Sequence, residues 1–108
     1  MDVLLFKALS DGTRLKMIEL MTRRAYCVRA LSLMLGLSES AVSQHMKILR
    51  DAGLVEGIKY GYYTHYRLCH DAFESLGKSL LELATQTQGA NDCDSADAVG
   101  CGRASRQA

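Results

Sequence analysis

Residues 28–53 read VRALSLMLGLSESAVSQHMKILRDAG, and this stretch decides the fold. Val28, Leu31 and Leu35 fall at spacings of three and seven, so they share one face of a helix. Gly36 stops that helix, because glycine takes the positive φ of a helix C-terminus without steric penalty. Ser38 is a good N-cap for a second helix over Glu39 to Ala52, which Gly53 ends. Helix, short glycine turn, helix is the sequence outline of a helix-turn-helix.

The second helix carries two distinct faces. Val42, Met46 and Leu49 form the apolar one, while Ser40, Ser43, Gln44 and Lys47 recur at i, i+3, i+4 and i+7 on the other. The ordinary reading of such a polar face is a solvated surface. Here the side chains are short hydrogen-bonding groups more than long charged ones, and they suit base edges and phosphates in a major groove. The second helix of such a pair is the one that enters the groove.

Working outward, Leu54 to Lys59 reads as a strand, Tyr60-Gly61 as a turn and Tyr62 to Leu68 as a second strand. Two strands after a recognition helix make a wing, from which Lys59, Tyr60 and Arg67 are candidate contacts to phosphate or minor groove. Tyr62, Thr64, Tyr66 and Leu68 share one side of the second strand, and packing on the half-buried sheet is the expectation for Tyr66. Upstream, VLLFKAL (3–9) reads as a short apolar helix, Ser10-Asp11-Gly12-Thr13 as a break with capping residues, and Thr13 to Thr22 as a helix burying Leu15, Met17, Ile18, Leu20 and Met21. Arg23 to Tyr26 is a linker. Downstream, Asp71 caps a fifth helix with Glu74 in capping-box position, and Phe73, Leu76, Leu80, Leu83 and Ala84 form an apolar seam. One small body does not easily bury this seam together with the first helix; a second copy of the chain buries both.

The fold class is therefore mainly α with a two-stranded β wing, a winged helix-turn-helix. Residues 1–88 form the DNA-binding and dimerisation domain. Residues 89–108 (GANDCDSADAVGCGRASRQA) are small, polar and acidic, and are expected to form a flexible cysteine-containing tail.

The 108 residues suffice for one hydrophobic core. With no run of about 18 apolar residues, no membrane span is expected. Met1 to Leu9 carries Asp2 where a secretory leader places positive charge, so the protein is expected in the cytoplasm. The net charge of +1 is too small to argue DNA binding by itself; residues 90–108 contribute −1, which leaves +2 on the rest. No nucleophile–base pair, phosphate loop or paired-carboxylate motif is legible, so an enzyme is not expected and no organic cofactor is implied. A winged-helix module that binds protein instead of DNA is the other class of reading. It calls for acidic or large apolar residues where Ser40, Ser43, Gln44 and Lys47 stand.

Three segments together resemble the ArsR/SmtB family of winged-helix metalloregulators, bacterial and archaeal repressors released from DNA by an inducer. FKALSDGTRLKMIEL (6–20) is similar to the family's entry helices, with Gly12 where the family usually has Pro. LGLSESAVSQHMKILRDAGLV (35–55) is similar to its helix-turn-helix and following strand, and GYYTHYRL (61–68) to its wing. The resemblance implies a homodimer joined through its first and last helices, whose two recognition helices enter successive major grooves of a double-stranded, roughly palindromic operator. By the same resemblance Ser40, Ser43, Gln44 and Lys47 are DNA contacts with His45 near them. Taken alone, His45 sits at the margin of the polar face, where a half-buried structural role is equally open.

The inducer is less legible. The family's arsenic and heavy-metal sensors often carry Cys-Val-Cys at the start of the helix-turn-helix; here the text is Cys27-Val28-Arg29, with one thiol. The family's zinc-type site on the last helix is not expected, because Ala72 and Leu83 stand where histidines are needed. Cys27 with Cys93 and Cys101 of the tail makes three thiols, a donor set suited to As(III) or Sb(III) as inducer, and Cys69 is a reserve ligand. Redox or reactive-sulfur sensing through a thiol pair, and no thiol chemistry at all, are the alternatives.

Overall fold

The computed structural model describes residues 2–88. Cys93, Cys101 and the tail reading fall outside these residues. Five helices and three strands follow in the order α1 (Val3–Leu9), α2 (Gly12–Met21), β1 (Tyr26–Cys27), α3 (Val28–Leu35), α4 (Glu39–Asp51), β2 (Val55–Tyr60), β3 (Tyr63–Leu68) and α5 (His70–Gln88). By compactness the chain divides within α5, between Leu76 and Gly77.

Capping chemistry sets most of the helix boundaries. Asp2 and Asp11 accept from the backbone N–H of Leu4 (2.9 Å) and Arg14 (3.0 Å), which satisfies donors that the first turns of α1 and α2 leave open. Ser38 Oγ does the same for Ala41 at the start of α4 (3.1 Å). Gly36 ends α3 at φ +69°, and Gly53 follows α4 at φ +79°, with Gly53 N–H on the Arg50 carbonyl (2.9 Å) and Leu54 N–H on that of Leu49 (3.0 Å).

Met17, Ile18 and Met21 of α2, Leu31 of α3, Val42, Met46 and Leu49 of α4, and Leu54 and Val55 at the start of the wing form one buried core. Val28 and Leu35 pack against it half-buried. Leu15, expected inside, is 45% exposed. At about 100° per residue it lies roughly 110° around α2 from the middle of the Met17–Ile18–Met21 face, so apolarity alone placed it wrongly.

The sheet has the order β1-β3-β2, all antiparallel. The wing is the β2–β3 hairpin, and the linker before α3 adds the short third strand β1, pairing Tyr26 with Tyr66 and Cys27 with His65. The hairpin closes one residue later than the sequence suggested: Tyr60 pairs with Tyr63, and Gly61-Tyr62 is the turn. Gly61 has φ +61° and Tyr62 does not have positive φ, the pattern of a type II′ turn, which matches the twist of the strands. Tyr66 is half-buried beside Gly57, where a Cβ would meet Thr64 Cγ2 at 2.8 Å.

α5 starts at His70 and not after an Asp71 cap. Cys69 N–H donates to the Leu54 carbonyl (2.8 Å), which fixes the end of the wing, and the Cys69 carbonyl accepts from Ala72 and Phe73 N–H (3.1 and 3.3 Å). Asp71 thus falls inside the first turn, and the Glu74 carboxylate lies 3.6 Å from His70 Nε2 in place of a capping box. The apolar seam of α5 has two fates. Phe73 is half-buried and Leu76 buried, while Leu80, Leu81 and Leu83 are exposed.

Candidate nucleic-acid interface

The apolar side of α4 is locked into the core by Val42, Met46 and Leu49, so its opposite side must face solvent. Ser40, Ser43, Gln44 and Lys47 are all exposed there. Lys47 Nζ hydrogen-bonds Asp51 Oδ2 at 2.8 Å, and that bond holds the Asp51 carboxyl below the usual carboxylate range. Both groups remain largely solvated, so the pair is weak.

His45 is placed differently from the four residues around it. By the pitch of the helix it lies roughly 150° from the centre of the polar face. The ring is half-buried; Nδ1 is 3.2 Å from Arg14 Nη1 and 3.9 Å from Asp11 Oδ2. Asp11 also accepts from the Arg14 backbone N–H, the main reason its carboxyl is held below the usual range. The structural role left open for His45 is the one this geometry supports.

In the wing, Lys59 and Tyr60 stand at the tip end of the hairpin, both exposed, and the Tyr60 ring leans on that of His65 with centroids 5.0 Å apart. Arg67 is elsewhere. It pairs across the ladder with Glu56, four residues below the closing pair Tyr60–Tyr63, which is about 13 Å along the strand. Its guanidinium meets Glu56 Oε1 at 2.6 Å. The structure therefore brings Ser40, Ser43, Gln44 and Lys47 together on α4 and Lys59 and Tyr60 at the wing tip, but sets His45 and Arg67 apart. Tyr62 and Tyr63, which the shifted turn carries to the tip with exposed rings, were missed; the glycine that demands the first central turn position was the available signal.

The described thiols occupy separate places. Cys27 is the N-cap of α3, its Sγ accepting from Ala30 N–H at 3.4 Å. Cys69 lies between β3 and α5, and burial, reinforced by the Glu56 carboxylate, pushes its thiol up. Cys27 sits opposite His65, four residues before Cys69, so about 13 Å of strand separates the two. Both are free thiols. Among the described residues, the groups close enough to share a cation are His70, Asp71 and Glu74, all exposed and without a thiolate.

Known proteins resemble this arrangement. The sequence profile of the bacterial regulatory protein, arsR family, matches residues 11–57, from the α2 cap to the first wing strand. The arsenical resistance operon repressor of Escherichia coli (strain K12) is 38% identical over 69 residues, 63% of this chain and 59% of that protein. The arsenical resistance operon repressor of Bacillus subtilis (strain 168) is 35% identical over 89 residues, 82% of this chain and 85% of that one. Among solved structures, an ArsR-like transcriptional regulator from Rhodococcus sp. RHA1 superposes with a TM-score of 0.75 at 26% identity, covering 82% of this chain and 83% of its own. The homodimeric winged helix-turn-helix domain Mb0332 of Mycobacterium bovis, at 23% identity and a TM-score of 0.64 over 85% of both chains, shares the fold. The exposed polar face of α4, the wing and these likenesses converge: the chain belongs to the arsR family of bacterial regulatory proteins, which are DNA-binding transcriptional regulators.

Proposed function

We propose that this protein is a homodimeric repressor that binds double-stranded operator DNA in the cytoplasm and is released by a thiophilic metalloid, As(III) or Sb(III), held by cysteine thiolates. The observation that carries the DNA half is the exposed Ser40–Ser43–Gln44–Lys47 face on a helix whose opposite face is buried. In this reading α4 enters the major groove, Gln44 and the serines meet base edges and phosphates, and Lys47 exchanges Asp51 for a phosphate. Lys59 and Tyr60 at the wing tip reach the neighbouring backbone, Arg67 exchanges its exposed partner Glu56 for a phosphate lower on the same hairpin, and His45 supports the packing of α4. The dimer is supported by exposed apolar side chains on two helices, Val3 and Leu4 of α1 and Leu80, Leu81 and Leu83 of α5, which a second copy covers.

The inducer half is supported by the relatives named arsenical resistance operon repressor. The donor set is Cys27, Cys93 and Cys101. Cys27 Sγ already acts as an acceptor at the mouth of α3, immediately before the helix-turn-helix, so a ligand there sits beside the reading unit. Cys69 is the poorer donor, since burial and Glu56 favour its protonated thiol. Each of Cys27→Ser, Cys93→Ser and Cys101→Ser is expected to abolish release of operator DNA by arsenite or antimonite while leaving inducer-free affinity near wild type, because a hydroxyl does not replace a soft thiolate. Cys69→Ser is expected to keep the response. Full arsenite response after deletion of residues 90–108 contradicts the three-thiol site; release by oxidant and restoration by reductant, through one cysteine pair, replaces it with a redox switch.

A further inference from the structure

Arg14, the third residue of α2, is bonded at once to α1, to α4 and to the cap of its own helix. Its Nε donates to the Ala8 carbonyl (2.6 Å) and its Nη2 to that of Lys7 (3.2 Å), both in the last turn of α1; the Lys7 carbonyl also accepts from the N–H (3.2 Å) and hydroxyl (2.8 Å) of the Ser10 cap. Its backbone N–H is held by the Asp11 cap (3.0 Å). Its remaining arm, Nη1, meets His45 Nδ1 on α4 at 3.2 Å. A guanidinium only donates, so in this bond Nδ1 is the acceptor. The contact holds the ring on the flank of α4 away from the polar face.

Apolar packing by Val42, Met46 and Leu49 seats α4 on the core through many small contacts, none of which singles out one rotation as a directional hydrogen bond does. Bidentate base recognition is sensitive to such rotations. The Arg14–His45 bond is directional and lies beside the buried face. We propose that Arg14 and His45 are positioning residues for DNA reading: the guanidinium, anchored on the α1 carbonyls, clamps His45 and so sets the rotation of α4 that presents Ser43, Gln44 and Lys47 to the groove. The clamp also ties α1, whose Val3 and Leu4 are exposed, to the reading helix. The inference rests on α4 being the reading helix.

The test compares operator DNA with an unrelated duplex of equal length, using the full-length chain. His45→Leu keeps the volume and removes the acceptor, and it is expected to lower operator affinity about tenfold, the scale of one charge-assisted hydrogen bond. Affinity for the unrelated duplex, and its salt dependence, should stay within about twofold, because non-specific binding depends on phosphate contacts and not on α4 rotation. His45→Asn places an amide oxygen near the Nδ1 position and is expected to restore operator affinity to within about threefold of wild type. Arg14→Lys, with one nitrogen for three acceptors, should behave like His45→Leu, and the double variant should be no weaker than the weaker single one. Parallel losses on both duplexes, equal losses for His45→Leu and His45→Asn, or additive effects in the double variant overturn the clamp. Gln44→Ala separates the two levels. If it lowers operator affinity and His45→Leu does not, the clamp alone is wrong; if neither has an effect, the reading of α4 falls and the clamp with it.

Discussion

α4 and α5 are both amphipathic helices, and they stand in opposite relations to the rest of the chain. α4 buries Val42, Met46 and Leu49 within its own protomer and exposes Ser40, Ser43, Gln44 and Lys47, with Ile48 its one large apolar side chain left exposed. α5 buries Leu76 and then leaves Leu80, Leu81 and Leu83 at 46, 67 and 46% exposure. In the proposed function the polar face of α4 meets DNA within one copy, whereas the apolar face of α5 is completed only by a second copy.

The largest expected effect tests the incomplete side. Leu83→Glu buries an unpaired charge in the proposed dimer and should turn a micromolar dimer into a monomer by sedimentation. Operator affinity should then fall more than about a hundredfold, since two half-sites are no longer held together. A wild type that sediments as a monomer at micromolar concentration breaks the comparison, because α5 then tolerates its exposed face.

Next in size is the contrast between buried and exposed leucines. In the monomeric Leu83→Glu background, Leu49→Ala should cost about 2–4 kcal/mol in urea unfolding, the transfer and cavity terms of a fully buried side chain. Leu80→Ala in the same background should cost less than about 0.5 kcal/mol. Equal costs place Leu80 in a core that one protomer builds by itself.

The helix-turn-helix was legible because its signals are local. Gly36, Ser38 and Gly53 each act on the residues beside them, so their sequence positions were enough to place the end of α3 and, to within a residue, both ends of α4. What escaped was set by long-range partners. β1 exists because Tyr26 and Cys27 meet β3 forty residues on, and α5 starts at His70 because Cys69 is held by Leu54. His45 and Arg67 share one lesson: the partners that place them, Arg14 and Glu56, lie 31 and 11 residues away and leave no local signal in the sequence. The sensor is the least legible part, since two of its three proposed thiols lie outside residues 2–88.

The smallest expected effect concerns Gly12, the first residue of α2. An added Cβ there meets nothing within 4 Å, Asp11 before it is extended at φ −143° and ψ 131°, and the first helical position suits proline. Gly12→Pro should raise stability by about 0.5–1 kcal/mol through a stiffer unfolded chain. Destabilisation instead would mean that the α1–α2 turn carrying Arg14 needs a backbone freedom that its geometry does not reveal.

The most direct measurement of the central claim is a fluorescence anisotropy titration of a labelled operator duplex, isolated by selection with the wild-type chain, with wild type, Gln44→Ala and Lys47→Ala across a series of salt concentrations. The account predicts that Gln44→Ala binds about tenfold more weakly with an unchanged salt slope, having lost a base contact, and that Lys47→Ala binds more weakly with a slope lower by about one unit, having lost a phosphate contact. Circular dichroism should show both variants folded. Wild-type affinity and slope in both variants would contradict the account, because the exposed face of α4 would then not be the surface that reads DNA.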